Sequence, residues 1–296
     1  MEKSTQDFPI LAIVVPVSNM AGKLGKLEKW LLASEGYPIE IFLVHDFKDL
    51  QTQAELERLV IRSQNKGVEL SKVRFGNPGE TRNFALERIS APWVQFVDSD
   101  DEVIVANSLQ AIHERKENST VLITNYTETK FFDEVEITRR HNHSLLNISL
   151  NPGIWRMIFK KETVSKVRFS RYRMGEDQLF LLDLNLFRQS IEFSEIVTYK
   201  YTTGGQHQLT NSVLAISEVK EVIFEIADRF PIFTQTEKKY VSIMATRLII
   251  TLLKNESLLS VQNAARLLLD VIARFSIPGR ISLLCSLITI TLRKNP

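Results

Sequence analysis

Apolar and β-branched residues fall in short dense runs through the first hundred positions, separated by stretches in which apolar residues recur every three or four. Residues 10–15 read as a buried strand, and residues 23–32 then carry Leu24, Leu27 and Leu31 at helical spacing. The return of a β-branched run at 39–44 completes a βαβ unit. Residues 54–63 predict a second helix, 68–75 a third strand, 81–89 a helix after the Gly76-Asn77-Pro78-Gly79 turn, and 93–97 a fourth strand. This alternation predicts an α/β fold with a mostly parallel sheet and flanking helices.

Beyond residue 102 the alternation loosens. Weak strands are expected at 121–125 and 196–201, and a helix opens at Gly175-Glu176-Asp177. From about Ser217 the pattern reads as three helices, the last two parted by a break at Pro278-Gly279. The expected division is an α/β domain over 1–215 and a C-terminal helical extension over 216–296. The last apolar run, 281–292, is interrupted by Ser282, Ser286 and Thr289, which fall at helical spacing and leave a broad apolar face. The plain expectation packs it as core against 241–253 and 261–275. The sharper one sets it, between Arg280 and the Arg293-Lys294 pair, against a bilayer or a partner subunit. It is too short to span a membrane, as is 8–17, which also holds Pro9 and Pro16.

Composition narrows the classes. With 44% hydrophobic residues the chain can build a packed core, and 37 basic against 35 acidic residues leave none of the basic excess that nucleic-acid binding requires. Cys285 is the single cysteine, which excludes an internal disulfide and a multi-cysteine zinc site. A reducing, cytoplasmic setting is expected, with peripheral contact at the inner face of the cell membrane as the variant that the last helix would add.

The strongest candidate for chemistry is Asp98-Ser99-Asp100-Asp101, an acidic run at the carboxyl end of a central strand, the edge where open α/β sheets bind ligands. Two carboxylates there can hold a hard divalent cation, although an acidic turn after a strand is common without one. A calcium loop of the EF-hand type fails because Val103 stands where glycine is required. A phosphohydrolase with Asp98 as nucleophile and Asp100 as acid remains an alternative at this point. Glu176 and Asp177 suit a helix N-terminus, Arg82 and Asn83 a helix-start pair, and Asp46 a turn after a strand.

Several pieces, in order, resemble the family 2 glycosyltransferases of the GT-A fold over about residues 9 to 212. They are Val14-Val15-Pro16-Val17-Ser18-Asn19, Leu43-Val44-His45-Asp46, Gly76-Asn77-Pro78-Gly79-Glu80-Thr81-Arg82-Asn83, Asp98-Ser99-Asp100-Asp101, and Gly175-Glu176-Asp177 with Gln178-Leu179-Phe180. The resemblance implies a nucleotide-sugar donor, a UDP-sugar by preference, bound by residues 9–102 through Pro16, Val17, Ser18, Asp46, Arg82, Asn83, Asp98 and Ser99. It implies Mn²⁺ or Mg²⁺ on Asp100 and Asp98, and an acceptor side over 103–215 for a glycan or glycolipid. Asp177 is the expected general base, with Glu176 beside it. Departures are His45, Phe47 and Lys48 around Asp46, Thr81 where alanine is commoner, and the loosely matching loop Thr203-Gly204-Gly205-Gln206-His207. His207 is the candidate to reach the diphosphate or metal, a plain surface histidine being the other reading. A non-catalytic glycosyltransferase-like binding subunit would share the same pieces.

Overall fold

The dense apolar runs form the middle of a nine-stranded mixed sheet in the computed structural model, which describes residues 8–63, 67–130, 136–203, 213–255 and 261–293. Strands β1 (Leu11–Val17), β2 (Ile39–Asp46), β3 (Val68–Val73) and β4 (Trp93–Phe96) are parallel, with β1 between β2 and β4. A strand flanked on both edges and covered on both faces must be apolar throughout, and β1 is. Its Leu11, Ile13, Val15 and Val17 share a core with Leu27 and Leu31 of α1 (Gly25–Ala33) and with Leu56 and Leu59 of α2 (Leu50–Ser63).

The sheet continues past β4 through elements the sequence pattern revealed poorly. Here β5 (Glu102–Val103), α4 (Val105–Glu114), β6 (Val121–Lys130), β7 (Glu136–Arg139), β8 (Met157–Lys160) and β9 (Ile191–Thr203) complete it. The order is β3-β2-β1-β4-β8-β6-β9-β5, with β7 on β6. Strand β8 enters antiparallel between β4 and β6. Its four residues are too few for a periodic signal.

The expected helix at 81–89 begins earlier, as α3 (Pro78–Leu86), because Asn77 accepts a hydrogen bond from the Glu80 N–H at 2.8 Å and Pro78 fits the first helical position.

The described chain divides into two compact units, residues 1–141, 154–171 and 188–205 forming the first and 142–153, 172–187 and 206–296 the second. The second holds α5 (Leu145–Leu150), α7 (Glu176–Asp183), α8 (Val213–Arg229), α9 (Gln235–Asn255), α10 (Val261–Arg274) and α11 (Ile277–Arg293), α6 (Lys161–Val164) belonging to the first. Four long C-terminal helices thus replace the expected three. A 3₁₀ turn at Phe230–Ile232, containing Pro231, separates α8 from α9. Pro278-Gly279 is not a break but the first turn of α11, where proline lacks no partner it would need.

Helix α11 buries only one of its two apolar sides. Gly279, Leu283, Ser286 and Ile290 are covered, and Ser282 shares a hydroxyl hydrogen bond with Ser242 of α9. Among the described residues no helix is long and apolar enough to cross a membrane.

Candidate active site

Parallel pairing makes β1, β2 and β4 end at one edge of the first unit, so the chain after each strand arrives at the same place. There the Ser18 hydroxyl donates to the Asp46 carbonyl at 3.4 Å. Asp46 itself is buried, and its two carboxylate oxygens accept the N–H groups of Phe75 at 3.0 Å and Gly76 at 2.7 Å. A buried carboxylate needs such donors, and these two pin the turn that leads into α3. Beside it the Phe47 ring lies under two cations, Lys72 Nζ at 3.6 Å and the Arg74 guanidinium at 5.1 Å from the ring centre. His45 is fully buried, its Nδ1 2.6 Å from Gln53 Oε1.

Helix α3 then delivers the Arg82-Asn83 pair. Gly79 sits where a Cβ would come 2.1 Å from the Ser170 backbone oxygen, so only glycine allows this approach. Asn83 commits its whole amide to Phe169, donating to its carbonyl at 2.9 Å and accepting its N–H at 2.8 Å. With the helix braced in this way, buried Arg82 reaches Asp98 Oδ1 at 3.0 Å, its guanidinium 5.3 Å from the centre of the Phe169 ring.

The acidic loop is held from below by a residue not singled out in the sequence. Asp101 is 1% exposed; its Oδ1 accepts the Thr202 N–H at 2.8 Å and its Oδ2 the Tyr199 hydroxyl at 2.9 Å. The same Tyr199 oxygen accepts the Asp98 N–H at 3.1 Å. Lys26 closes the other side, donating to the Asp100 carbonyl at 3.1 Å and to the Thr202 hydroxyl. Trp155 stacks on Tyr199 and Tyr201, with ring centres 4.8 and 4.9 Å apart, and stiffens the base.

Charge is concentrated in consequence. Burial, then the charges of Asp100 and Asp98, hold the Asp101 carboxyl well above the ordinary carboxylate value. Loss of hydration, then Asp98, also raises Asp100, which lies at the exposed lip of the loop. The Tyr199 phenol is pushed up by burial and by the nearby aspartates, so it stays a neutral donor. Crowded carboxylates at an open edge, all oxygen donors, fit a hard divalent cation that relieves their repulsion.

In the second unit, Glu176 and Asp177 open α7, with Glu176 buried and Asp177 half-buried. Gly175 precedes them in the left-handed region at φ +89°, and a Cβ there would meet Val222 of α8 at 2.8 Å. Polar ties fasten this segment to α8. The Arg173 N–H donates to Glu218 at 2.6 Å, the Tyr172 hydroxyl to Glu225 at 2.7 Å, and Arg229 to Asp183 at 2.5 Å.

The family model described as glycosyl transferase family 2 matches residues 12–180, more than half of the chain. The chain belongs to glycosyl transferase family 2. Solved structures agree on the GT-A fold. Staphylococcus aureus TarS 1-349 in complex with UDP-GlcNAc superposes with a TM-score of 0.73 at 20% identity, covering 91% of this chain and 82% of that one. The mannosyltransferase PcManGT from Pyrobaculum calidifontis, in complex with GDP-Man and Mn²⁺, gives 0.58 at 13% identity, covering 97% and 87%. No curated protein matches the sequence.

In this family 2 enzyme the first unit gathers Ser18, Asp46, Arg82, Asn83, Asp98, Ser99 and Asp100 around the ends of β1, β2 and β4. Pro16 and Val17 lie on β1 opposite Val44 and His45. Glu176 and Asp177 stand in the second unit, and His207 lies outside the described residues. The transferase's Asp101, Tyr199, Thr202 and Lys26 escaped sequence reasoning. Only Asp101 carried a local signal, as the fourth position of the acidic run. Membership in the family removes the phosphohydrolase alternative, and Asp98, which that reading made the nucleophile, has its Oδ1 engaged by Arg82.

Proposed function

We propose that this enzyme moves a sugar from a nucleotide diphosphate donor, a UDP-sugar by preference, to a glycan or glycolipid acceptor by direct displacement with inversion. The observation that carries the reading is the clamped acidic loop, which holds Asp98 and Asp100 at the carboxyl ends of the parallel strands. Nucleotide sugars in the TarS and PcManGT complexes, and Mn²⁺ in the latter, support the donor class and the ion.

Breaking the anomeric bond builds positive charge on the sugar and negative charge on the departing diphosphate. A divalent ion, Mn²⁺ or Mg²⁺, held by Asp100 and Asp98 would supply Lewis-acid stabilisation of that leaving group. Arg82 orients Asp98 for the task, while Asp101 and Tyr199 fix the loop backbone. Asp46 and Asn83 act on the protein itself, setting the turn and helix against which Pro16, Val17, Ser18 and Ser99 meet the donor. Asp177, at a helix N-terminus whose N–H groups favour the ionised form, takes the proton of the attacking acceptor hydroxyl, with Glu176 buried at its side. The donor functions fall within 9–102, the acceptor side within 103–215, and 216–296 supports them, at the cytoplasmic side of the envelope.

A panel of nucleotide sugars, scored by calorimetry and by hydrolysis with and without Mn²⁺, tests class and donor together. Asp100→Ala is expected to abolish the Mn²⁺-dependent part of donor binding. Full binding and turnover in excess chelator would overturn the metal assignment.

A further inference from the structure

Helix α11 is built for contact on two opposite sides, and one of them is open. Its inner side carries Gly279, Leu283, Ser286 and Ile290, spaced four, three and four residues apart, the repeat of a helix seam lying on another helix. That side rests on α9. The outer side repeats the spacing with Ile277, Ile281, Leu284 and Ile288, joined by Leu287, and these five side chains are between 46% and 71% exposed. A helix with protein on one side and water on the other carries polar residues outward. Here aliphatics stand on both sides: Leu283 and Ile290 are covered together with Gly279 and Ser286, while five more face outward.

Scattered surface apolar residues need no explanation, but a continuous stripe does. Its five side chains expose roughly 500 Å² of apolar surface, a patch at the upper end of what a monomer shows. Two such stripes facing each other would bury about 1,000 Å² at most, the floor for a biological interface and the range of weak, reversible association.

We infer that α11 is a self-association seam, packing against α11 of a second copy in a two-fold contact. Heptad spacing suits another helix rather than a fluid surface, and a two-fold contact uses one patch twice. Among the described residues, three cations of the second unit already have protein partners, which weakens the case for an anionic bilayer. Arg274 makes a double hydrogen bond with Asp228, Lys220 pairs with Asp270 at 3.6 Å, and Arg280 donates to the Phe275 and Ala273 carbonyls.

Sedimentation velocity of the 296-residue chain between about 1 and 100 μM should show a monomer–dimer equilibrium. Leu284→Glu, at an exposed position in mid-seam, should weaken it by at least about 30-fold without lowering Tm. Ile232→Glu, also exposed but elsewhere, should leave it unchanged. Cys285, the single cysteine and exposed beside Leu284, should allow a bismaleimide to trap the dimer of the wild-type chain but not that of Leu284→Glu. Leu284→Gln repeats the test without adding charge, should the glutamate variant fail to fold. A chain that stays monomeric throughout overturns the proposal, as does a dimer of undiminished strength in both folded variants. Co-sedimentation of a monomer with phosphatidylserine vesicles would do the same, assigning the stripe to a bilayer.

Discussion

Single side chains in the first unit act less on a ligand than on the backbone that will meet one. Asp46 holds the Phe75 and Gly76 amides, Asn83 holds Phe169, and Asp101 holds Thr202 and Tyr199. Each is a polar group whose burial would cost several kcal/mol if it lacked those partners. Gly79 is the residue with least tolerance. Adding one methyl at 2.1 Å from the Ser170 oxygen forces α3 away from the 169–170 segment and strains both hydrogen bonds of Asn83. Gly79→Ala is therefore expected to cost about 2 kcal/mol in denaturant unfolding, typical of overpacking against rigid backbone, and to weaken donor binding because Arg82 moves with the helix. Unchanged stability would mean that the contact yields freely. The motif glycine was legible in the sequence, but its reason was not, since Ser170 lies ninety-one positions away.

At the scale of elements, strand and helix identities followed from periodicity wherever the run was long, as for β1, β2, α1 and α2. They failed for β8, four residues fixed by neighbours on both sides, and for α4, whose N-terminal residue Ile104 supplies no side-chain cap. Helix α2 illustrates a boundary that local chemistry sets. Asp49 Oδ1 accepts the Thr52 N–H at 2.6 Å, and that bond holds the Asp49 carboxyl below its ordinary value. A group with a depressed folded pKa adds stability above its unfolded value, about 3.9, and loses that contribution as pH falls through the folded one. Asp49→Ala should thus cost about 1 kcal/mol at neutral pH, Asp49→Asn only a few tenths, and the gap between wild type and alanine should narrow below about pH 4. Thermal melts across pH 3 to 7 check this; a gap that widens in acid contradicts the cap.

Taken as a whole, the molecule divides its proposed labour between units: donor and metal residues sit in the first, and the proposed base opens a helix fastened to α8 in the second. Asp177→Asn keeps the shape of the base and removes its basicity, so donor binding should remain within about twofold while turnover falls by roughly 10² to 10⁴. Damage from Glu176→Gln in its place would exchange the roles of the pair. By itself the sequence determined the α/β order, the acidic run after β4, the glycine turn before Arg82 and the acidic start of α7, because each is written within a dozen residues as periodicity or turn chemistry. The tertiary structure alone decided that Asp101 and not only its neighbours matters, through Tyr199 and Thr202 about a hundred positions on, and that α11 covers Leu283, Ser286 and Ile290 while leaving Ile281, Leu284 and Ile288 exposed. A helix pattern states which residues share a face. Which face is covered depends on the neighbours that folding brings to it.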